Sequence, residues 1–158
     1  MIDLQLQFAS QSKNIPDSKR MEDWVRQTCS DRDQVSVGIR IVDEQESAEL
    51  NQQYRHKQGA TNVLSFPFES PHLPDDSEED EDNFEDFLGD LVICAPVVEN
   101  EAEQQGKNVE AHWAHMVVHG LLHLQGYDHL ETVQAEEMEA IERQILAGLG
   151  FPDPYQEA

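Results

Sequence analysis

A run of histidines inside an apolar segment, at residues 115–129, constrains this chain more than any other feature. His119 and His123 are four residues apart, so on a helix their side chains lie about 6 Å apart on one face. Gly126 follows them, and glycine is the usual residue where a helix ends in a left-handed turn. Such a turn would bring His129 back to the first two, so the spacing predicts that three imidazoles share one metal ion.

Three protein nitrogens leave a fourth coordination position open, which is the arrangement of a catalytic zinc ion rather than a structural one. The H-x3-H-x5-H spacing matches the long zinc-protease signature, so we expect a metzincin-like metal helix followed by a glycine turn. That signature has glutamate directly after the first histidine as general base, and here the residue is Gly120. The motif therefore predicts a hydrolytic metal site and argues against a standard metallopeptidase.

The alternative is that these histidines are solvated or hydrogen-bonded within the protein. A single pair four residues apart would more often be of that kind. Three imidazoles in an otherwise apolar run would be costly to bury without partners, so metal binding is favoured. His115 lies one helical turn before His119 and is expected to pack beside the ligands, because a fourth imidazole would close the site. The remaining histidines are expected to be solvated or structural: His56, His72 and His112.

At 158 residues the chain fits a single domain spanning residues 1–158. No stretch approaches the ~20 apolar residues of a membrane span, and Met1 leads directly into a strand pattern rather than a signal peptide. Cys29 and Cys94 lie in apolar segments without metal-like spacing, so we expect buried, reduced thiols. Together these features predict a cytoplasmic protein that does not enter a membrane.

The formal net charge is −23, whereas nucleic-acid binding normally requires a basic surface. Much of the negative charge lies in one acidic block at residues 75–86, which predicts a flexible loop at about residues 70–87. Net charge bears on association more than on fold. The charge therefore weakens the case for a polyanionic substrate without excluding one.

Apolar residues alternate at 2–8 and at 35–41, which predicts two strands, and helical spacing between them predicts a helix up to about Cys29. Asp43, with Glu46 three residues later, resembles a capping box that opens a second helix. Residues 63–68 read as a strand, but Pro67 cannot donate to a ladder, so this strand lies at a sheet edge or ends there.

A fourth strand is predicted at residues 88–94, and Pro96 suits the first turn of a helix running to about residue 105. Two more helices follow, one starting near Asn108 and one at roughly residues 131–146. Strand, helix, strand and helix in this order predict helices packed on a sheet. The pattern is that of an α/β (α+β) fold with four strands and about five helices.

Three blocks of the sequence resemble the YbeY family of bacterial ribosomal RNA maturation factors, which are metal-dependent endoribonucleases. The first is HGLLHLQGYDH at residues 119–129, the second is LNQQYR at 50–55 with TNVLSFP at 61–67, and the third is LGDLVIC at 88–94. Their order and separation and the chain length all fit, so the resemblance covers most of the chain.

The resemblance implies a small mixed sheet, one zinc ion held by His119, His123 and His129, and cleavage of single-stranded RNA. It also implies a role in maturation of the 3′ end of small-subunit ribosomal RNA and in ribosome quality control. The expected partners are ribosomal RNA and the small ribosomal subunit with its proteins, and not DNA. Arg55 would be the functional arginine of its block. Asn62 stands where many members have Asp, so an essential carboxylate is not expected there.

The chemistry agrees with this resemblance in part. A zinc-bound water has a pKa near ~7 instead of ~15.7, which yields hydroxide at neutral pH without a glutamate. Arg55 is one of ten basic residues, and its guanidinium offers two donors to the charge that develops on a phosphodiester. The metal, Arg55 and the nearby Lys57 would together form a local positive site in a negative protein. The alternative for an unselected arginine is a surface salt bridge.

Several side chains are candidates for supporting roles. Asp128 would orient a ligand histidine or cap a turn, and Asp90 and Ser65 are candidates at strand ends. Tyr127 is expected in the core. Two other functions stay open, namely a ribosome-assembly or RNA-chaperone factor whose zinc only holds the fold, and a metal-dependent hydrolase of another ester or amide.

Overall fold

The computed structural model describes residues 2–13, 15–67, 87–127 and 132–155. Within them, four strands and five helices follow one another in the predicted order. These are β1 (Ile2–Phe8), α1 (Ser18–Thr28), β2 (Val35–Val42), α2 (Glu44–Arg55), β3 (Val63–Pro67), β4 (Phe87–Cys94), α3 (Ala95–Gln104), α4 (Val109–Leu124) and α5 (Thr132–Gly148). The predicted α/β fold is confirmed. The predicted acidic loop, His72, Asp128 and His129 lie outside the described residues.

The strands form one mixed sheet in the order β1-β2-β4-β3. The β1, β2 and β4 strands are parallel to one another, and β3 runs antiparallel to β4 at the sheet edge. Pro67 is the last residue of β3, where its missing N–H costs no ladder hydrogen bond. The prediction that this segment forms an edge strand is therefore confirmed.

Side-chain alternation in the strands divides the core between the two faces of the sheet. One face carries the larger cluster, in which β2 and β4 pack against α1, α4 and α5, with Val37, Ile39, Leu91, Trp113, Leu121 and Met138 among its buried members. The opposite face carries a smaller cluster under α2, formed by Val42, Leu64, Val92 and Cys94 with the partly buried Leu50. The histidine helix α4 thus belongs to the larger layer.

The start of α2 differs from the capping box predicted for it. Asp43 is the N-cap residue, but its side chain makes no capping hydrogen bond. Its carboxylate instead accepts hydrogen bonds from the Ser10 hydroxyl and from the Gln11 amide at 3.2 Å. Glu46 turns to Arg40 on β2 and accepts two hydrogen bonds from that guanidinium. Donors from neighbouring strands and loops have replaced the local backbone donors.

The one aromatic residue expected in the core is exposed, and so is an apolar residue near the start of α5. Tyr127 is 39% exposed, so its predicted place in the core is wrong, because the chain turns away from α4 immediately before it. Val133, which shares a helical stripe with the buried Met138 in the sequence, is 65% exposed near the start of α5. No helix in the described part of the chain has the length and apolar character needed to cross a membrane.

Cys29 and Cys94 are free thiols, as predicted, and are 2% and 0% exposed. Burial raises the pKa of Cys29 to about 11 and also raises the pKa of Cys94. The reactive thiolate is therefore scarce at neutral pH at both positions. We expect iodoacetamide at pH 7.5 to leave the native protein unmodified and to label both cysteines once the protein is unfolded in guanidinium. Rapid labelling of either thiol in the native protein, detected by mass spectrometry, would contradict this.

Candidate metal centre

The histidine helix α4 is defined at both ends by its own sequence. Asn108 caps its N-terminus by accepting a hydrogen bond from the Ala111 amide at 3.2 Å. At the other end Gly126 has φ +100°, and the amides of Gly126 and Tyr127 donate to the carbonyls of His123 and Leu122, each at 3.0 Å. This is the Schellman arrangement of a glycine-terminated helix. The predicted glycine turn is confirmed.

Gly120 brings α4 into close contact with the sheet. A β-carbon at this position would lie 2.7 Å from Leu91 Cδ2 on β4 and 3.3 Å from Val63 Cγ2 on β3. The Ser65 hydroxyl of β3 also donates to the Gly120 carbonyl at 3.4 Å. No larger side chain fits without displacing its neighbours. This packing explains why the glutamate of the protease signature is absent here.

The structure brings His119 and His123 together on α4. Their Nε2 atoms are 3.1 Å apart and their ring centroids 4.6 Å apart. Two nitrogens bound to one tetrahedral zinc at about 2.0–2.1 Å lie about 3.4 Å apart, so this pair needs little movement to share an ion. Both side chains are only partly buried, which leaves them accessible. His129, the third predicted ligand, lies outside the described residues.

Glu142 on α5 fixes the orientation of His119. This glutamate is fully buried, and its Oε1 lies 2.6 Å from His119 Nδ1. A carboxylate only accepts hydrogen bonds, so Nδ1 of His119 carries the proton and donates it. In the neutral ring the lone pair then lies on Nε2, the atom that faces His123. Carboxylates in this relation to a histidine are common beside bound metals.

The second oxygen of Glu142 is held by two further residues. Oε2 accepts from His115 Nε2 at 3.1 Å and from the Tyr155 hydroxyl. Burial alone would raise the pKa of Glu142, but the hydrogen bonds from His115, His119 and Tyr155 outweigh it and lower the pKa to about 2. Burial and the adjacent carboxylate raise the pKa of Tyr155. The glutamate is thus a buried anion at neutral pH, and His115 packs beside the site as predicted.

A second donor set could in principle hold an ion, because His115, His119 and Glu142 each offer an atom within 4.8 Å of the others. In this set, however, both carboxylate oxygens already accept hydrogen bonds, and two of the three residues are buried. An ion there would have to break those contacts. The pair of His119 and His123 is more accessible and would exchange the contact between its own Nε2 atoms for the ion, so it is the better match to a metal site with an open position.

His112 is structural, as predicted. It is 4% exposed, and its Nε2 lies 3.1 Å from Glu101 on α3. The Asn62 amide donates to the same carboxylate at 3.2 Å. An aspartate at position 62 would place two carboxylates against each other, so the pairing with Glu101 gives a physical reason for asparagine there.

Arg55 lies apart from the histidines. It is the last residue of α2, on the face of the sheet opposite α4, and it is exposed. Asp90 faces the same side, where its Oδ1 lies over Gly38, so the structure does not place it beside the histidines. Of the supporting residues predicted, Ser65 is the one that contacts α4.

Sequence reasoning missed Glu142 and Tyr155. Glu142 falls at helical spacing within an apolar stripe of Met138, Ile141 and Ile145, and a lone acid in such a stripe was an available signal. Tyr155 follows α5 in a segment rich in proline and acid, and nothing local marks it.

The fold and the site together define a small α/β protein with a histidine cluster of the kind that holds a divalent metal. A family model described as endoribonuclease YbeY matches residues 5–150. Relatives named endoribonuclease YbeY are similar along their length: the one from Methylococcus capsulatus is 57% identical over 99% of this chain and 97% of its own. The one from Stutzerimonas stutzeri is 52% identical over 99% of this chain and 93% of its own.

This chain belongs to the YbeY family of endoribonucleases. A solution structure of a Thermotoga maritima protein is also similar, with a TM-score of 0.55, 25% identity, and coverage of 96% of this chain and 99% of that one. The resemblance drawn from the three sequence blocks is confirmed. The prediction of an endoribonuclease is confirmed at the level of the family.

The packing at Gly120 can be tested with alanine. We expect Gly120→Ala to lower the free energy of unfolding by about 1–3 kcal/mol, because the new methyl group must displace Leu91 and Val63. Gly148→Ala is the matched control, since the same group near the end of α5 would meet only the Gln27 side chain at 3.2 Å. Urea denaturation measures both. Equal stability of Gly120→Ala and the wild type would show that α4 does not need this close approach.

Proposed function

We propose that this protein is a zinc-dependent endoribonuclease that cleaves single-stranded RNA during ribosomal RNA processing. Its proposed tasks are maturation of the small-subunit RNA 3′ end and ribosome quality control in the cytoplasm, with the small ribosomal subunit as partner. His119, His123 and His129 are the proposed ligands of one zinc ion. Family membership supports RNA cleavage, and the 3.1 Å approach of the two Nε2 atoms is the observation that supports the metal.

Zinc, when bound, supplies Lewis acidity and lowers the pKa of a coordinated water to about 7. The chain itself supplies the positions of the ligands. The α4 helix sets His119 and His123 one turn apart, and Glu142 keeps Nδ1 of His119 protonated. Gly120 supplies no base, so no residue at that position competes for a proton. This set of roles suits hydrolysis of a phosphodiester better than of a peptide.

We propose that the phosphates of RNA bind at the end of α2. All ten basic residues fall in the described segments, and four arginines are engaged in ion pairs: Arg20, Arg26, Arg40 and Arg143. Arg55 and Lys57 are exposed, and within the described residues neither side chain has an ion-pair or hydrogen-bond partner. Their charge is therefore available to phosphates, and Arg55 adds a bidentate fork.

The competing function is an assembly factor in which zinc only holds the fold. The observation in favour of this alternative is the buried hydrogen-bond network that joins α4 to α5 and to Tyr155, because it makes the site part of the core. On this view the histidine variants would lose stability and ribosome association together, and Arg55 would be dispensable.

Cleavage is tested on single-stranded RNA with metal-free protein and with protein restored by zinc. We expect cleavage only after zinc is restored, and a loss of at least a hundredfold in His119→Ala and His123→Ala. His129→Ala extends the test to the ligand predicted from sequence alone. A gel assay with end-labelled RNA provides the measurement.

Glu110→Ala is the control for these variants, because Glu110 lies in the first turn of the same helix, pairs with Arg20, and has no proposed role in binding metal or RNA. Intact RNA with the zinc-restored wild type, or equal cleavage by wild type and His119→Ala, would refute the proposed enzymatic function. A panel of other esters and amides would reveal a different hydrolase.

Arg55→Ala separates docking from metal binding. We expect this variant to fold and to bind zinc as the wild type does, yet to cleave RNA at least tenfold more slowly, because a phosphate-binding guanidinium is lost. Arg26→Ala removes the same charge from the exposed face of α1 and is the control. If Arg55→Ala instead loses zinc and melting temperature together, the residue has a structural role.

A further inference from the structure

We propose that Glu142 is a positioning residue for the metal: its carboxylate holds His119 so that Nε2 faces the ion, and Tyr155 and His115 hold the carboxylate. This inference rests on the proposed role of His119 as a ligand through Nε2. It assigns a task to two residues outside the histidine motif, Glu142 on α5 and Tyr155 beyond it.

The first step concerns the choice of tautomer. A neutral imidazole carries its proton on either nitrogen, and only the unprotonated nitrogen binds a metal. The 2.6 Å contact between Glu142 Oε1 and His119 Nδ1 favours the form with the proton on Nδ1. Without an acceptor at Nδ1, the ring would be free to place its proton on Nε2 or to rotate about its side-chain bonds. Either change lowers the fraction of the protein that is ready for zinc.

The second step concerns the carboxylate itself. The two carboxylate oxygens of Glu142 have different partners. Oε1 accepts a hydrogen bond from His119, and Oε2 accepts from His115 and Tyr155. The side chain is fully buried, so water does not offer substitute donors. Removing the Tyr155 hydroxyl therefore loosens the oxygen farther from His119 while leaving the nearer contact in place. The effect on metal affinity should be in the same direction as loss of Glu142, and smaller.

The third step concerns how Tyr155 is kept in place. Its backbone amide donates to Asp153 at 2.9 Å, and Arg143 on α5 donates to the same Asp153 carboxylate at 3.1 Å. The Arg143 guanidinium also lies 5.2 Å from the centre of the Tyr155 ring. Together with His119, Met138 and Glu142, the tyrosine lines a cavity of about 250 Å³. These contacts hold the segment after α5 in place beside His119, the predicted ligand.

A purely structural role is the main rival, because a buried anion with three donors also stabilises the fold. The two roles differ in what they change. A structural residue alters the melting temperature of the metal-free protein, whereas a positioning residue alters zinc affinity in protein that is fully folded. A second rival is that Glu142 ligates the ion directly with His115 and His119, which are close enough to do so.

The experiment uses the full chain and measures zinc affinity by chelator competition and Co²⁺ binding by visible absorption. The variants are Glu142→Gln, which keeps the shape but has one acceptor oxygen where the carboxylate has two, so that its NH2 group must face either His119 Nδ1 or the donors His115 and Tyr155, and Tyr155→Phe, which removes only the hydroxyl. We expect Glu142→Gln to bind zinc ten- to a hundredfold more weakly, and Tyr155→Phe less than tenfold more weakly. Melting temperatures of the metal-free proteins are recorded alongside, and both variants should remain folded.

Glu101→Gln is the matched control. Glu101 on α3 makes a similar carboxylate contact with a histidine of α4, because its Oε1 lies 3.1 Å from His112 Nε2. This contact does not involve His119 or His123. The variant should leave zinc affinity unchanged. Wild-type affinity in both Glu142→Gln and Tyr155→Phe would overturn the inference. So would a loss of zinc affinity in Glu101→Gln as large as the loss in Glu142→Gln. If His115→Ala abolishes zinc binding while His123→Ala does not, Glu142 is a ligand and the positioning role is wrong. Failure of the wild type to bind zinc would instead refute the proposed function.

Discussion

The arrangement of the site depends on one buried negative charge. Glu142 is fully enclosed, and a carboxylate taken out of water without partners costs several kcal/mol. Its compensation comes from His115 and His119 on α4 and from Tyr155 after α5. These groups must therefore assemble together. The same constraint that keeps α4 and α5 in contact also determines which ring nitrogen His119 presents.

The opposite side of α4 is constrained by shape rather than by charge. Gly120 lets the helix backbone approach Leu91 and Val63 closely, and the Ser65 hydroxyl contacts its carbonyl. The strand that supplies Val63 and Ser65 is the one that follows the Arg55 block along the chain. All three sequence blocks that carry the family resemblance thus meet at Gly120, although Arg55 itself lies on the other face of the sheet. Packing at Gly120 leaves no space for the glutamate of a zinc protease.

The sequence was sufficient to predict the elements whose patterns are local. Alternation in β1 and β2, the proline at the edge of β3 and the glycine after α4 each reflect a rule that acts within a few residues, and each prediction holds. The capping box of α2 did not form because Ser10, 33 residues from Asp43, and Arg40 on β2, six residues from Glu46, supply competing partners. Tyr155 could not be found, because its role arises only when the segment after α5 folds back on α4. Pairing across long sequence separations is what a local pattern does not contain.

Because this endoribonuclease family member is acidic, its binding of RNA has to be explained by the charges close to the RNA rather than by its net charge. At physiological salt the screening length is about 8 Å, so acidic groups farther away act weakly on a bound phosphate. Four arginines are paired with nearby carboxylates, while Arg55 at the end of α2 and Lys57 two residues later are exposed. Few phosphate contacts also mean that few counterions are released on binding. Affinity for free RNA should then be modest, and recognition must depend on a small number of well-placed contacts more than on an extended basic surface.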